Sequence, residues 1–187
     1  MRIIAGIYSS RRLKAPEGYD TRPTLDKVRG AVFSSLGGFF DGGTILDLYG
    51  GSGAVSLEAI SRGFERAVIC DKSKTAVSVI RENADALGVS ESCRILQMSD
   101  MKALQMLAEE KAVFDLVYLD PPYEKQHNED VIRYLEEHCM LRNGSRIVVE
   151  CLKEDPMPDA VGNVSRYKRA EYGITAIVYY RFNEEES

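Results

Sequence analysis

The sequence predicts an α/β fold built on a doubly wound, mostly parallel sheet with right-handed crossovers. Three observations lead there. Between Thr44 and Cys151, short apolar runs alternate with segments whose apolar residues recur at helical spacing. A glycine-rich turn, Gly50-Gly51-Ser52-Gly53, separates the first of those runs from its helix. Beyond Pro156 and Pro158 the helical rhythm gives way to two strand-like runs flanking Gly173, as in a closing antiparallel hairpin.

Taken in order, residues 1–20 hold only two short apolar patches, Ile3-Ile4-Ala5 and Leu13-Lys14-Ala15, and end at Pro16 and Gly18. They read as a basic arm or hairpin ahead of a domain spanning 21–187. A helix is predicted over 25–37, with Thr24 as N-cap and Leu25, Val28, Val32 and Leu36 on one face. Strands follow at Thr44–Leu48, Ala67–Cys70, 94–98, Phe114–Leu119 and 146–151. Between them come a helix ending near Gly63, one capped by Ser73 with Ala76, Val77, Ile80, Ala84 and Leu87 inward, and a short one around Met101, Leu104 and Leu107. A fourth, Val131–Met140, precedes an Asn143-Gly144 turn. The hairpin occupies 163–171 and 174–182.

At 187 residues the chain fits one domain with a sizeable core. No apolar run approaches the ~20 residues a bilayer span requires, and the N-terminus lacks a signal peptide's apolar stretch. The cysteines Cys70, Cys93, Cys139 and Cys151 are scattered, with no C-x-x-C pair. Reduced thiols in a cytoplasm, and no metal centre, are the expectation. The net charge of −5 is unevenly spread: Arg2, Arg11, Arg12, Lys14, Arg22, Lys27 and Arg29 face only Glu17, Asp20 and Asp26 in the first 29 residues. At physiological salt, charges more than ~8 Å apart are largely screened, so a basic arm on an acidic body can still bind phosphates. A solvated basic tail would look the same.

The turn Asp47-Leu48-Tyr49-Gly50-Gly51-Ser52-Gly53 sits between the first strand and its helix, where amides at a helix N-terminus can face a ligand. It lacks the third glycine of a dinucleotide fingerprint, which disfavours a nicotinamide oxidoreductase. Asp71 ends the second strand, 24 residues after Asp47 and close to the ~20-residue offset at which an acid meets ribose hydroxyls. Asp100, after the third strand, can accept an adenine N–H; a helix cap serves it equally well. The set fits an adenosine without phosphates. S-adenosylmethionine has that form, and its ammonium and sulfonium make Asp47 a favourable neighbour.

Val117-Tyr118-Leu119-Asp120-Pro121-Pro122-Tyr123 stops a buried strand at an acid, two prolines and an aromatic ring. The exocyclic amine of a base is a poor nucleophile, because its lone pair is delocalised into the ring. Asp120 and the Pro121 carbonyl could accept its two N–H bonds and localise that lone pair, with Pro122 stiffening the pair. Tyr123 offers a face on which an extruded base stacks.

On these residues the chain resembles the class I S-adenosylmethionine-dependent methyltransferases with a D-P-P-Y motif. More narrowly, it resembles the bacterial 16S ribosomal RNA guanine-N2 methyltransferases of the RsmD type. The narrower likeness rests on Arg2-Ile3-Ile4-Ala5-Gly6, Arg12-Leu13, Pro16-x-Gly18, Thr21-Arg22-Pro23-Thr24 and Val28-Arg29 before Phe33, together with D-L-Y-G-G-S-G and D-P-P-Y. It implies a Rossmann-like, seven-stranded sheet with one antiparallel strand near the C-terminus. It also implies S-adenosylmethionine as donor (leaving S-adenosylhomocysteine) and a guanine of 16S RNA as substrate, met on assembled or partly assembled small subunits; a metal-free, cytoplasmic monomer is the expectation. The catalytic candidates are Asp120, Pro121, Pro122 and Tyr123. The cofactor candidates are Asp47, Tyr49, Gly50, Gly51, Gly53, Asp71, Lys72, Asp100 and Met101. The RNA candidates are Arg2, Arg11, Arg12, Arg22, Thr24 and Arg29, with Arg166, Lys168 and Arg169 as a second footprint. An adenine-N6 methyltransferase would keep every site residue; a non-catalytic RNA-binding module would not need to.

Overall fold

The computed structural model describes residues 1–18, 23–122 and 127–184, without the side chains of Pro23 and Thr24. It divides into two compact units, Met1–Asp100 and Met101–Ser187.

In the first unit, α1 (Pro23–Ser35) leads to β1 (Thr44–Asp47), α2 (Ala54–Ser61), β2 (Arg66–Asp71), α3 (Lys74–Leu87) and β3 (Cys93–Gln97). The strands pair in parallel in the order β3-β2-β1, with Ile45 opposite Ala67 and Ile69 opposite Ile95. Helix α3 follows its prediction: Ser73 caps it, accepting from the Ala76 N–H, and Ala76, Val77, Ile80, Ala84 and Leu87 are buried. Helix α1 starts two residues earlier than predicted, with a proline at its first position, where proline's fixed φ suits a helix start. Its buried face also differs. Arg29, Val32, Phe33 and Leu36 are buried, while Leu25 is exposed.

In the second unit, α4 (Asp100–Glu109) runs in from the last residue of the first and precedes β4 (Phe114–Leu119), α5 (Asn128–Glu137), β5 (Leu141–Leu152), β6 (Ala160–Val161), β7 (Val164–Tyr172) and β8 (Thr175–Phe182). Strand β5 pairs parallel with β4 and antiparallel with β8; β7 and β6 follow antiparallel. Helix α5 lies three residues before its predicted span, burying Val131, Ile132 and Leu135. Asn143-Gly144, expected as a turn, is an irregularity inside a longer β5. There the register jumps from Phe114–Leu141 to Leu116–Arg146, and the Ser145 hydroxyl donates to the Phe114 carbonyl.

The result is an α/β fold with mostly parallel strands and an antiparallel C-terminal set, as the sequence predicts. The described strands number eight rather than seven, because the two-residue β6 is too short to show any period. Among the described residues, no helix is long and apolar enough to cross a membrane.

Candidate active site

The glycine turn is drawn tightly onto its own unit. The Gly50 N–H donates to the Cys70 carbonyl at 2.8 Å. A Cβ on Gly50 would lie 2.6 Å from Ile69 and 2.9 Å from Ile80, so a larger residue there would force the turn off β2 and α3. Asp71, on β2, accepts from the Gly51 N–H at 2.9 Å and the Ser73 N–H at 2.8 Å. It therefore braces the turn and the start of α3 together. A carboxylate has about four acceptor positions, so two remain for hydroxyls.

Asp47 is buried, accepting from the Ser56 hydroxyl at 3.1 Å and the Tyr49 N–H at 3.3 Å. Burial, reinforced by the charge of Asp71, pushes its carboxyl up to about 7 against the pull of those two donors. Tyr49 reaches across to Asp100, its hydroxyl donating to Oδ2 at 2.8 Å. Asp100 opens α4 and lies in its first turn, so it serves the helix end and Tyr49 together. Lys72 is exposed, and Met101 is half-buried on α4.

These acids share a field. The Cys70 thiol is pushed up to about 12, first by burial and then by Asp71, Asp100 and Asp47. Three carboxylates converging on one buried thiol form a site suited to a cation-bearing ligand and hostile to a pyrophosphate. The donor set therefore fits S-adenosylmethionine. Among the described residues, no group of three or more His, Cys, Asp and Glu is placed to hold a metal ion.

In the second unit, β4 buries Leu116, Val117, Tyr118 and Leu119 and then delivers Asp120, exposed, and Pro121, buried. This is the C-terminal end of a parallel strand, where open α/β sheets place their chemistry. Tyr123 lies outside the described residues.

The RNA candidates divide. Arg2 and Arg12 face each other across an antiparallel bridge with exposed side chains. Arg11 is exposed and donates to the Ala86 carbonyl at 2.6 Å. Arg29 is a correction: only 6% exposed, it pairs with Asp26 at 3.0 Å and Glu58 at 3.5 Å and donates to the Arg2 carbonyl. Arg22 and the side chain of Thr24 lie outside the described residues. Arg166 and Arg169 are also turned to internal work. Arg166 binds Asp159 and the Met157 carbonyl, and Arg169 donates to the Lys153 carbonyl at 2.6 Å.

Lys168 alone of that second footprint is exposed, and cations the sequence did not single out stand near it. Arg146 on β5 stands directly opposite Arg181 on β8. Tyr167, 46% exposed, has the Arg181 guanidinium 5.5 Å from its ring centre, and Lys168 lies 5.4 Å from the ring of Tyr179. Burial and the charge of Arg181 lower the pKa of Arg146, while Tyr167 opposes that shift. Arg146, Tyr167 and Arg181 carry no motif; only the strand register brings them together.

The chain matches, over residues 1–181, the family described as "Conserved hypothetical protein 95". It belongs to that family, the RsmD-type ribosomal RNA methyltransferases. Within it, the chain is 35% identical over 181 residues to YlbH of Bacillus subtilis, named as a candidate rRNA methyltransferase, covering 97% of this chain and 98% of that one. It is 28% identical over 187 residues to ribosomal RNA small subunit methyltransferase D of Escherichia coli (strain K12), covering 100% of this chain and 91% of the relative. The solved structure of the Escherichia coli protein yhhF, a candidate methyltransferase, superposes with a TM-score of 0.85 at 29% identity over 98% of both chains. An S-adenosylmethionine-dependent RNA methyltransferase is thus what the family, the fold and the glycine-turn acids describe together.

An RsmD-type reading of the sequence alone overlooked how the arm is held. Glu58, fully buried on α2, accepts from the Ile4 N–H at 2.8 Å and the Ala5 N–H at 3.0 Å, and pairs with Arg62 at 2.7 Å. Asn83 bonds both backbone groups of Lys14 and also donates to the Ser52 carbonyl at 2.9 Å. Residues 1–14 are therefore stitched to the unit that carries the glycine turn. The signal was present, since Glu58 is the one charge in Ala54–Ser61.

Proposed function

We propose that this protein transfers a methyl group from S-adenosylmethionine to the exocyclic N2 amine of a guanine in 16S ribosomal RNA, within assembled or partly assembled small subunits. The observation that carries the reading is Asp120-Pro121-Pro122 at the C-terminal end of buried β4. The names of the relatives in Escherichia coli and Bacillus subtilis support an rRNA substrate.

When bound, S-adenosylmethionine supplies an electrophilic methyl. Asp71 would take the ribose hydroxyls, Asp100 the adenine amine, and Asp47 the positive end of the amino-acid part. Asp120 and the Pro121 carbonyl accept the two N–H bonds of the target amine and localise its lone pair. Tyr123 stacks on the extruded base, a contact worth roughly 1–3 kcal/mol. Positioning supplies most of the rate. The RNA backbone is met by Arg2, Arg11 and Arg12 and by the sheet face of Arg146, Arg181 and Lys168, with Tyr167 as a stacking surface. Like charges directly opposite in a sheet repel; a phosphate between Arg146 and Arg181 relieves that repulsion.

The test is to incubate the protein with labelled S-adenosylmethionine and undermethylated small subunits, then digest the RNA and identify the labelled nucleoside. N2-methylguanosine in 16S RNA is expected, with none from Asp120→Ala, whose S-adenosylmethionine affinity stays within a few-fold of the wild type. Label in N6-methyladenosine, or substantial turnover by Asp120→Ala, overturns the reading.

A further inference from the structure

We infer that Glu150 reads the target base, accepting the N1–H of guanine beside the amine that Asp120 accepts. The inference rests on the guanine-N2 reading above and adds a residue that no motif of the sequence contains.

Three observations place it. First, the β4–β5 register ends with Leu119 opposite Val149, so the next position sets Glu150 against Asp120. Neighbouring strands lie about 4.8 Å apart. Second, the faces agree. The Tyr118 hydroxyl donates to Glu150 Oε2 at 3.1 Å, which puts Tyr118 and Glu150 on one side of the sheet. Asp120 follows Tyr118 by the two-residue period of a strand and shares that side. Third, Glu150 is a lone acid in the apolar run Ile147–Leu152, half-buried on a strand paired on both sides. Burial raises its pKa, opposed by the Tyr118 hydroxyl. Tyr118 engages Oε2; among the described residues Oε1 has no donor. Oε1 is not buried away from solvent, so it is open to a ligand donor.

The ligand edge that fits is guanine's. Its N1–H and N2 amine are adjacent donors, matching two carboxyl groups side by side. Adenine presents a lone pair at N1, which would face the Glu150 oxygen. Glu150 therefore favours guanine over adenine at a site whose amine-gripping residues suit either base. A site built to bond a substrate N–H strongly rejects an analogue that lacks it.

The test compares small subunits reconstituted with guanine or with 2-aminopurine at the labelled position; 2-aminopurine keeps the 2-amine and lacks the N1–H. Each variant's kcat/KM ratio for the two bases is internal to that variant, so incomplete folding does not distort it. The wild type should favour guanine on the order of 100-fold, the range of one charged hydrogen bond. Glu150→Gln, able to donate to the unprotonated N1, should lose on the order of 10- to 100-fold on guanine and close or reverse the preference. Tyr118→Phe, which frees Oε2, should narrow it part of the way. A ratio that Glu150→Gln leaves unchanged overturns the inference while the guanine reading stands. A wild type that labels no guanine overturns both.

Discussion

The Tyr49 hydroxyl donates to Asp100 Oδ2 at 2.8 Å, joining the glycine turn to the first residue of α4. Two side chains proposed to meet the cofactor are thereby one unit, and the orientation of the Asp100 carboxylate depends on Tyr49. Tyr49→Phe removes that donor and keeps the ring. Affinity for S-adenosylhomocysteine, measured by calorimetry, should fall by about 1 kcal/mol, roughly fivefold. Unchanged affinity would take Asp100 out of the adenine site.

Asp71 braces the turn, and one substitution cannot separate that duty from the ribose contact proposed for it. Asp71→Ala removes its acceptors from the Gly51 and Ser73 amides as well as from the proposed ribose contact. Urea stability and ligand affinity should therefore both drop, the latter by roughly 1.5–3 kcal/mol for each charge-assisted bond lost. A ligand lacking the 2′-hydroxyl isolates the ribose contact. The wild type should bind it more weakly than the parent compound, and Asp71→Ala should bind the two alike. A hydroxyl effect of the same size in both proteins would assign Asp71 to the turn alone.

Much of this was legible in the sequence, and the reasons are specific. Asp47, Asp71 and Asp120 each end an apolar run, and a strand that stops at an acid is visible in one dimension. Helix α3 carries its cap, its buried face and its terminal Gly88 in consecutive order. The arm was harder to read. Residues 1–14 have too few apolar side chains to suggest packing, yet Ile3 is fully buried and the backbone of Ile4 and Ala5 is held by Glu58. That partner lies more than fifty residues away, and no local period reports it. Arg29 misled for the same reason: its cation reads as an RNA contact until Glu58 appears beside it. The Arg146–Arg181 pair exists only once β5 and β8 are in register.

Asp47 makes stability depend on pH with a definite sign. Its pKa rises from 3.8 to about 7 on folding, so between those values the folded state binds the extra proton. Its contribution is fully favourable below pH 3.8 and is lost as pH rises through 7. At about 1.4 kcal/mol per pH unit, the burial costs the folded apoprotein on the order of 4 kcal/mol above pH 7. Asp47→Asn keeps a group that can bond Ser56 and the Tyr49 N–H, and removes the charge. The variant should exceed the wild type in urea stability at pH 8 and match it near pH 4. Its affinity for S-adenosylmethionine should fall, because the cationic end loses its partner. Equal stability at pH 8 would mean that Asp47 is not strained by burial.

The outward sheet face yields the remaining prediction. Arg146 and Arg181 stand opposite each other, Tyr167 is half exposed beneath the Arg181 guanidinium, and Lys168 lies alongside. If this face meets RNA, each cation contributes through counterion release. Every phosphate contact then adds about 0.7–0.9 to the slope of log affinity against log salt. The double variant Arg146→Gln, Arg181→Gln should therefore flatten the salt dependence of small-subunit binding by about 1.4–1.8. Tyr167→Ala should weaken binding by roughly 1–3 kcal/mol with the slope unchanged, since stacking releases no counterions. S-adenosylhomocysteine affinity should survive all three substitutions, because none of them alters the acids proposed to hold it, Asp47, Asp71 and Asp100. Arg166→Ala serves as the contrast: its guanidinium is committed to Asp159 and the Met157 carbonyl, so its loss should register in stability rather than in the salt slope. A slope unmoved by the double variant would return the RNA footprint to Arg2, Arg11 and Arg12 alone.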